Sequence, residues 1–264
     1  MQYEETSSTP GQFLLGTSGW SYPHWAKGLF YPRGLRQSDW LPYFSRHFST
    51  VEVNMTFYRL PEPERLQRWA DSTPPGFRYS VKMWRRITHE KRLRDCEGEL
   101  RTFFEMLLPL QPKCGPLLLL VPPSVENDSG LLDDFFATFR SVTGAYPWRC
   151  AIEFRNPTWQ TEETIEILNR HGVSLCLADM PRCVFSKPND VPFVYVRRHG
   201  PDGKYRVAYS ERQVYEDARS VRSWLANGTD VYFYYNNDLE GHALTNARML
   251  DAHVTGRTEL QRVS

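Results

Sequence analysis

Eight short runs rich in β-branched and aromatic residues recur along this chain, at 13–18, 50–55, 77–83, 116–121, 149–154, 173–178, 193–198 and 230–236. Every run but the sixth is followed by a segment whose apolar residues return at intervals of three and four. These segments lie at 39–48, 64–72, 97–110, 131–142, 162–171, 211–227 and 243–254. A side-chain period of two marks strands and a period near 3.6 marks helices. Strict alternation of the two implies a parallel sheet, because each strand can lie parallel to the last only after a long crossover. Eight such units of about 30 residues each use up nearly all of the 264 residues. An α/β chain built this way is expected to close into a single (β/α)8 TIM barrel. An open doubly wound sheet could use the same elements, but no dinucleotide fingerprint follows the first run. The barrel should occupy 13–255, with a flexible N-terminal tail at 1–12 and a C-terminal tail at 256–264. Between the sixth and seventh runs, PRCVFSKPNDVP is short and carries three prolines, which predicts a degenerate helix or a loop. Ser129 and Thr161 stand where helices should start, and Gly172 and Gly228 where they should stop.

Charge then narrows the function. Lys and Arg number 32 against 31 for Asp and Glu, which excludes a uniformly basic coat for nucleic acid but not a local basic patch. No apolar run approaches the roughly 18 residues of a membrane span. The opening residues, MQYEETSSTP, lack the basic start and apolar segment of a signal peptide. A soluble cytoplasmic protein with no membrane partner is expected. The five cysteines (Cys96, Cys114, Cys150, Cys176 and Cys183) form no CxxC pair and read as reduced thiols rather than disulfides or a zinc site.

The strand faces carry the functional signal. Residues i and i+2 share a face, so Val51, Val53 and Met55 point to the helices and leave Glu52, Asn54 and Thr56 for the barrel interior. The same alternation turns Ser80 and Lys82, Glu153 and Arg155, and Arg197 and His199 inward. Asp179 closes the sixth strand, and Asn236, Asn237 and Asp238 close the eighth. Most of these residues lie in the second half of their strands, towards the C-terminal mouth where barrel enzymes place their chemistry. Isolated buried charges cost several kcal/mol, so this set is expected to pair around a polar ligand site.

GTSGWSYPHWAKGLFYP (16–32), FSTVEVNMTFYRLP (48–61), FRYSVK with ITHE (77–90), IEFRNPTW (152–159), FVYVRRHG (193–200) and VYFYYNNDLEGHALTNA (231–247) together resemble the YecE-like family, also known as domain of unknown function 72. The resemblance spans about 13–250 and implies a TIM-barrel fold, with no reaction attached. It also implies a glutamine in the fourth strand, before the proline pair, where this chain has Leu120.

The candidate roles follow from charge and reach. Glu52 and Glu153 would serve as general acid and base, His199 or His89 as a proton shuttle, and Lys82, Arg155 and Arg197 as an anion clamp. Trp20, Tyr22, Asn54, Tyr58, Asp179, Asn236 and Asn237 would bind substrate. Two carboxylates among three cations suit hydrolysis of a phosphoester, or proton abstraction beside a carboxylate, better than glycoside hydrolysis. A divalent metal on Glu52, Glu153, Asp179 and His199 is an option but not favoured among such cations, and the residues leave the cofactor open. HGPDGK (199–204) reads as a turn or lid. The alternative function is non-catalytic binding of nucleic acid, with the basic run Arg85 to Arg94 on phosphates and the aromatics Trp20 to Trp25 on bases.

Overall fold

The computed structural model describes residues 9–256. Its strands are β1 (Phe13–Thr17), β2 (Thr50–Val53), β3 (Arg78–Lys82), β4 (Cys114–Val121), β5 (Cys150–Phe154), β6 (Val173–Ala178), β7 (Phe193–Arg198) and β8 (Asp230–Tyr235). All pair in parallel, in the order β1-β8-β7-β6-β5-β4-β3-β2. The helices are α1 (Trp40–Phe44), α2 (Met55–Tyr58), α3 (Pro63–Asp71), α4 (Glu97–Leu107), α5 (Ser129–Thr143), α6 (Glu162–His171), α7 (Glu211–Ala226) and α8 (His242–Thr255). The expected barrel is present and nearly closed. The seam between β1 and β2 is bridged by a side chain: Ser49 Oγ accepts from Leu15 N at 3.0 Å. Gly16 lets the two backbones approach, since a Cβ there would meet Thr50 O at 2.1 Å.

Two apolar groups hold the barrel. The larger lies between strands and helices and includes Val51, Val53, Val81, Ile152, Phe154, Val194 and Val196, the outward faces that alternation assigned. The smaller fills the interior with Leu14, Leu118, Ala151, Cys176, Tyr195, Tyr232 and Tyr234. Those tyrosines bring hydroxyls inside, and each buried hydroxyl needs a partner. Tyr234 meets Thr50 Oγ1 at 2.8 Å and Tyr195 meets Ser80 Oγ at 2.6 Å.

Several expectations shift at element ends. Strand β2 stops at Val53, so Met55 begins the short helix α2 and Thr56 does not line the barrel. Instead its hydroxyl donates to Lys82 O at 2.7 Å. Helix α5 is capped by Asp128, whose carboxylate accepts from Leu131 N, and Ser129 is its first helical residue. Thr161 does cap α6, and Gly172 ends it with a φ of 66°. The segment between β6 and β7 holds no helix, because its prolines remove donors and fix backbone angles. The five cysteines are unpaired. Among the described residues no helix is long and apolar enough to cross a membrane. The expected tails fall mostly outside the described residues, although Gly11 and Gln12 donate to Leu225 O and to the Asp230 side chain.

Candidate active site

One guanidinium organises the floor of the C-terminal mouth. Arg197, from β7, donates from Nη2 to Glu52 Oε1 at 2.8 Å and from Nη1 to Glu153 Oε2. All three side chains are at most 2% exposed. Glu52 also accepts from Ser18 Oγ at 2.6 Å and from the Tyr195 hydroxyl at 2.9 Å. Burial by itself would raise the Glu52 pKa, but the charge of Arg197 and the hydrogen bonds from Ser18 and Arg197 bring it below the usual carboxylate range. Glu153 starts from the same burial penalty and ends well below that range, held down by Arg197, His199 and Arg155. Arg155 Nε makes an ion pair with Glu153 Oε1, without the alignment of an N–H···O hydrogen bond. Both carboxylates are therefore fixed as anions.

Above this floor opens a cavity of about 830 Å³. Asn54, Lys82, Arg155, Arg197 and Asn236 reach it from strand ends, and Tyr22, His24, Phe57, Tyr58, His89, Lys204, Tyr205, Arg206 and Asp238 from the turns, loops and short helix α2 that follow. Leu120 lines it from β4, so the position where the resemblance implies a glutamine contributes an apolar patch. Five lining residues are basic (Lys82, Arg155, Arg197, Lys204 and Arg206) and one is a carboxylate. That carboxylate, Asp238, is engaged by His24 Nε2 at 3.0 Å and by the Trp25 indole N–H at 2.9 Å. Burial raises the Asp238 pKa to about 6 against the opposing pull of His24.

Lys82 and His89 flank one aromatic ring. Lys82 Nζ lies 4.2 Å from the Phe57 centroid, and the His89 ring meets the same face-to-edge neighbour at 4.9 Å. Among the described residues, Lys82 has no carboxylate within 4 Å. Burial, then the charge of Arg197, lowers its pKa to about 8, although Glu52 and Glu153 pull the other way. His89 is lowered as well, by burial first and then by Lys82. Its Nδ1 pairs with Thr88 Oγ1 at 2.8 Å, which fixes the ring and leaves Nε2 as the nitrogen available to a ligand.

The structure gathers Tyr22, Asn54, Tyr58, Lys82, His89, Arg155, Arg197 and Asn236 around the cavity. It places the other candidates elsewhere. Glu52 and Glu153 lie beneath the lining. His199 is fully buried, between Glu153 (3.7 Å) and the Asn236 side-chain amide (3.2 Å), and so orients Asn236. Asp179 accepts from His199 N and from the Tyr209 hydroxyl. Asn237 donates to Val207 O at 3.0 Å and to Asn246 Oδ1 at 2.9 Å, tying the loop after β7 to α8. Trp20 packs edge-on against Trp69 at 5.0 Å, and Trp25 is fully buried.

The basic run is partly offset, three carboxylates facing its five Lys and Arg side chains: Arg85 pairs with Glu90, Arg86 and Lys91 with Glu99, and Arg94 with Asp128. Glu99 and Asp128 lie beyond the run itself, which is why its composition read as more basic than the folded surface is. The carboxylates considered for a metal are engaged by Arg197, Arg155 and Tyr209. Among the described residues, no three His, Cys, Asp or Glu side chains gather at one point. Strand alternation could not reach His24, Phe57, Tyr205 and Arg206, which stand beyond the strand ends, Phe57 in the short helix α2. Their one sequence signal is position: each follows the C-terminal end of a strand, in β1, β2 or β7.

Comparison with known proteins places this geometry in a lineage. The family model described as "Protein of unknown function DUF72" matches residues 14–263. The UPF0759 protein YecE of Escherichia coli (strain K12) is 27% identical over 192 residues, which cover 71% of this chain and 66% of that protein. The chain therefore spans just under two thirds of that relative's length. A DUF72 family protein of Thermotoga maritima MSB8 superposes with a TM-score of 0.80 at 27% identity, over 92% of this chain and 99% of that one. D-psicose 3-epimerase, at 11% identity and a TM-score of 0.54 over 93% of this chain and 100% of its own, shares the fold alone.

Proposed function

The chain belongs to the DUF72 family of proteins of unknown function, and from that premise we propose that it is an enzyme acting by acid–base chemistry on an anionic substrate, phosphorylated or nucleotide-like, at the C-terminal mouth of its barrel. One observation carries this reading. Lys82, Arg155 and Arg197 line the cavity, while the carboxylates that balance them, Glu52 and Glu153, are buried and do not. An entering anion meets fixed positive charge in a partly desolvated setting, where charge-assisted hydrogen bonds are strong. Asn54 and Asn236 add amide donors. Tyr22, Phe57, Tyr58 and Tyr205 offer flat faces to a sugar or base.

In this reading the two glutamates act through the guanidiniums they hold, and His199 acts through Asn236. His89 is the imidazole that meets the ligand and carries the proton, and the Asp238 carboxyl, paired with His24, lines the cavity from beyond β8. Binding only to the folded state raises the melting temperature, so inorganic phosphate, ribose 5-phosphate and a short single-stranded oligonucleotide are the probes. Stabilisation by a phosphorylated probe that weakens with salt and is lost in Arg155→Gln is the expected result. If none of the probes raises the melting temperature, the reading fails.

The reading as a nucleic-acid-binding protein has less support, since most of its basic rim is paired and neither Trp20 nor Trp25 stands free to stack. Oligonucleotide binding that survives Arg155→Gln but is lost on replacing Arg85, Arg86 and Arg92 would favour it.

A further inference from the structure

We propose, resting on the anion-binding reading above, that Lys82 is a covalent catalytic group whose amine condenses with the carbonyl carbon of an anionic aldehyde or ketone, so that the substrate class is a phosphorylated or carboxylated carbonyl compound. Four observations converge on it. Lys82 lines the cavity beside Arg155 and Arg197, which supply the anion site without it. Among the described residues it has no carboxylate within 4 Å, unlike Arg155 and Arg197, each of which is ion-paired. Its Nζ sits against the Phe57 ring at 4.2 Å, an apolar seat. His89 packs edge-on against that same ring at 4.9 Å and feels the Lys82 charge, so a proton carrier and the amine share one aromatic neighbour.

The ring attracts the protonated amine weakly but gives it no counter-ion and keeps water away, so burial outweighs that attraction and the neutral amine is favoured. Arginine, with five donors and a fixed charge, holds an anion better, whereas desolvated lysines beside other cations become nucleophiles. With its pKa brought down to about 8, about a tenth of the amine is neutral near pH 7, roughly two orders of magnitude more than for an ordinary lysine.

The step balances without any oxidant or reductant. The nitrogen lone pair of the neutral amine forms the C–N bond while the carbonyl π pair moves to oxygen. The nitrogen proton passes to that oxygen, with His89 as carrier, to give a carbinolamine. His89, reprotonated from solvent, then protonates the carbinolamine hydroxyl, one water leaves, and the nitrogen lone pair closes the C=N bond as a protonated imine, which carries the charge of that added proton. Arg155 and Arg197 hold the phosphate or carboxylate of the substrate throughout.

Pyridoxal 5′-phosphate, an anionic aldehyde, is a suitable probe on the intact chain near neutral pH. Borohydride reduces any imine formed, and peptide mass mapping then compares Lys82 with Lys27, Lys91, Lys113, Lys187 and Lys204. Lys82, with its pKa brought down to about 8, should label at least about tenfold faster than the exposed Lys187, which lies outside the cavity, and excess inorganic phosphate should slow that labelling. Lys82→Arg, checked for folding by circular dichroism, should lose the fast label while phosphate still raises its melting temperature. If Lys82 labels no faster than Lys187 while phosphate stabilises the protein, the imine is overturned and anion binding stands. If phosphate neither stabilises the protein nor slows the labelling, the underlying anion reading falls instead.

Discussion

Arg197 Nη2 lies 2.8 Å from Glu52 Oε1 across the inside of the barrel, and neither side chain is more than 2% exposed. The two residues come from β7 and β2, which are separated in the sheet by β6, β5, β4 and β3 and, the other way around the barrel, by β8, β1 and the β1–β2 seam. A bond between them therefore crosses the interior instead of following a ladder. With Glu153 on the same guanidinium, three strands meet at one buried ion cluster.

Removing the cation should be costly. Arg197→Met would leave two buried carboxylates short of their main counter-ion, and breaking a buried pair typically costs about 3–5 kcal/mol. Denaturant unfolding should show a loss of that order. Adding Glu52→Gln and Glu153→Gln to Arg197→Met should recover part of it, because neutral amides can stay buried more cheaply. A triple variant no more stable than the single one would mean that the guanidinium, rather than the charge balance, carries the cost.

Acid should destabilise the protein in two stages. His89 and His199 have depressed folded pKa values, so the unfolded chain takes up their protons first and stability declines below about pH 6.5. Glu52 and Glu153 are depressed too. Their contribution is complete above about pH 4.5 and disappears as the pH falls through the folded values. Asp238, raised to about 6, runs the other way, so Asp238→Asn should steepen the loss near pH 6. Melting temperature against pH, measured for the native protein and the triple variant, checks this: the variant should keep the first stage and lose much of the second.

The cap of α5 separates two adjacent residues. Asp128 accepts from Leu131 N at 2.9 Å, and replacing a capping carboxylate by alanine costs about 1 kcal/mol. Ser129, one residue on, should tolerate alanine within about 0.5 kcal/mol. Comparing Asp128→Ala with Ser129→Ala in one denaturant series decides which residue starts the helix.

The β1–β2 seam depends on a missing methyl group. A Cβ at position 16 would stand 2.1 Å from Thr50 O, so Gly16→Ala must push the strands apart. Overpacking of this kind costs about 1–3 kcal/mol, and hydrogen exchange should quicken for amides of β1 and β2 before those of β5 and β6. Unchanged exchange across the seam would show that the strands have room to spare.

Much of this fold could be read from residue order. Period-two runs joined by period-3.6 segments left few arrangements, and alternation put Glu52, Lys82, Glu153, Arg155 and Arg197 on the inner face of their strands, where the structure has them. Ser129 was misread as a cap because Asp128 and Ser129 are both good capping residues, and only backbone angles choose between them. Thr56 was misplaced because β2 ends two residues early, and the end of a strand depends on what its neighbours offer to bond.

Order along the chain thus determined which faces point inward, because the pleat fixes that locally. The depth of each inward group was decided by tertiary structure alone. Arg197 draws Glu52 and Glu153 below the floor and leaves Lys82 with an aromatic seat in the cavity. Which charge pairs with which depends on distances across the barrel, and those exist only once all eight strands have closed.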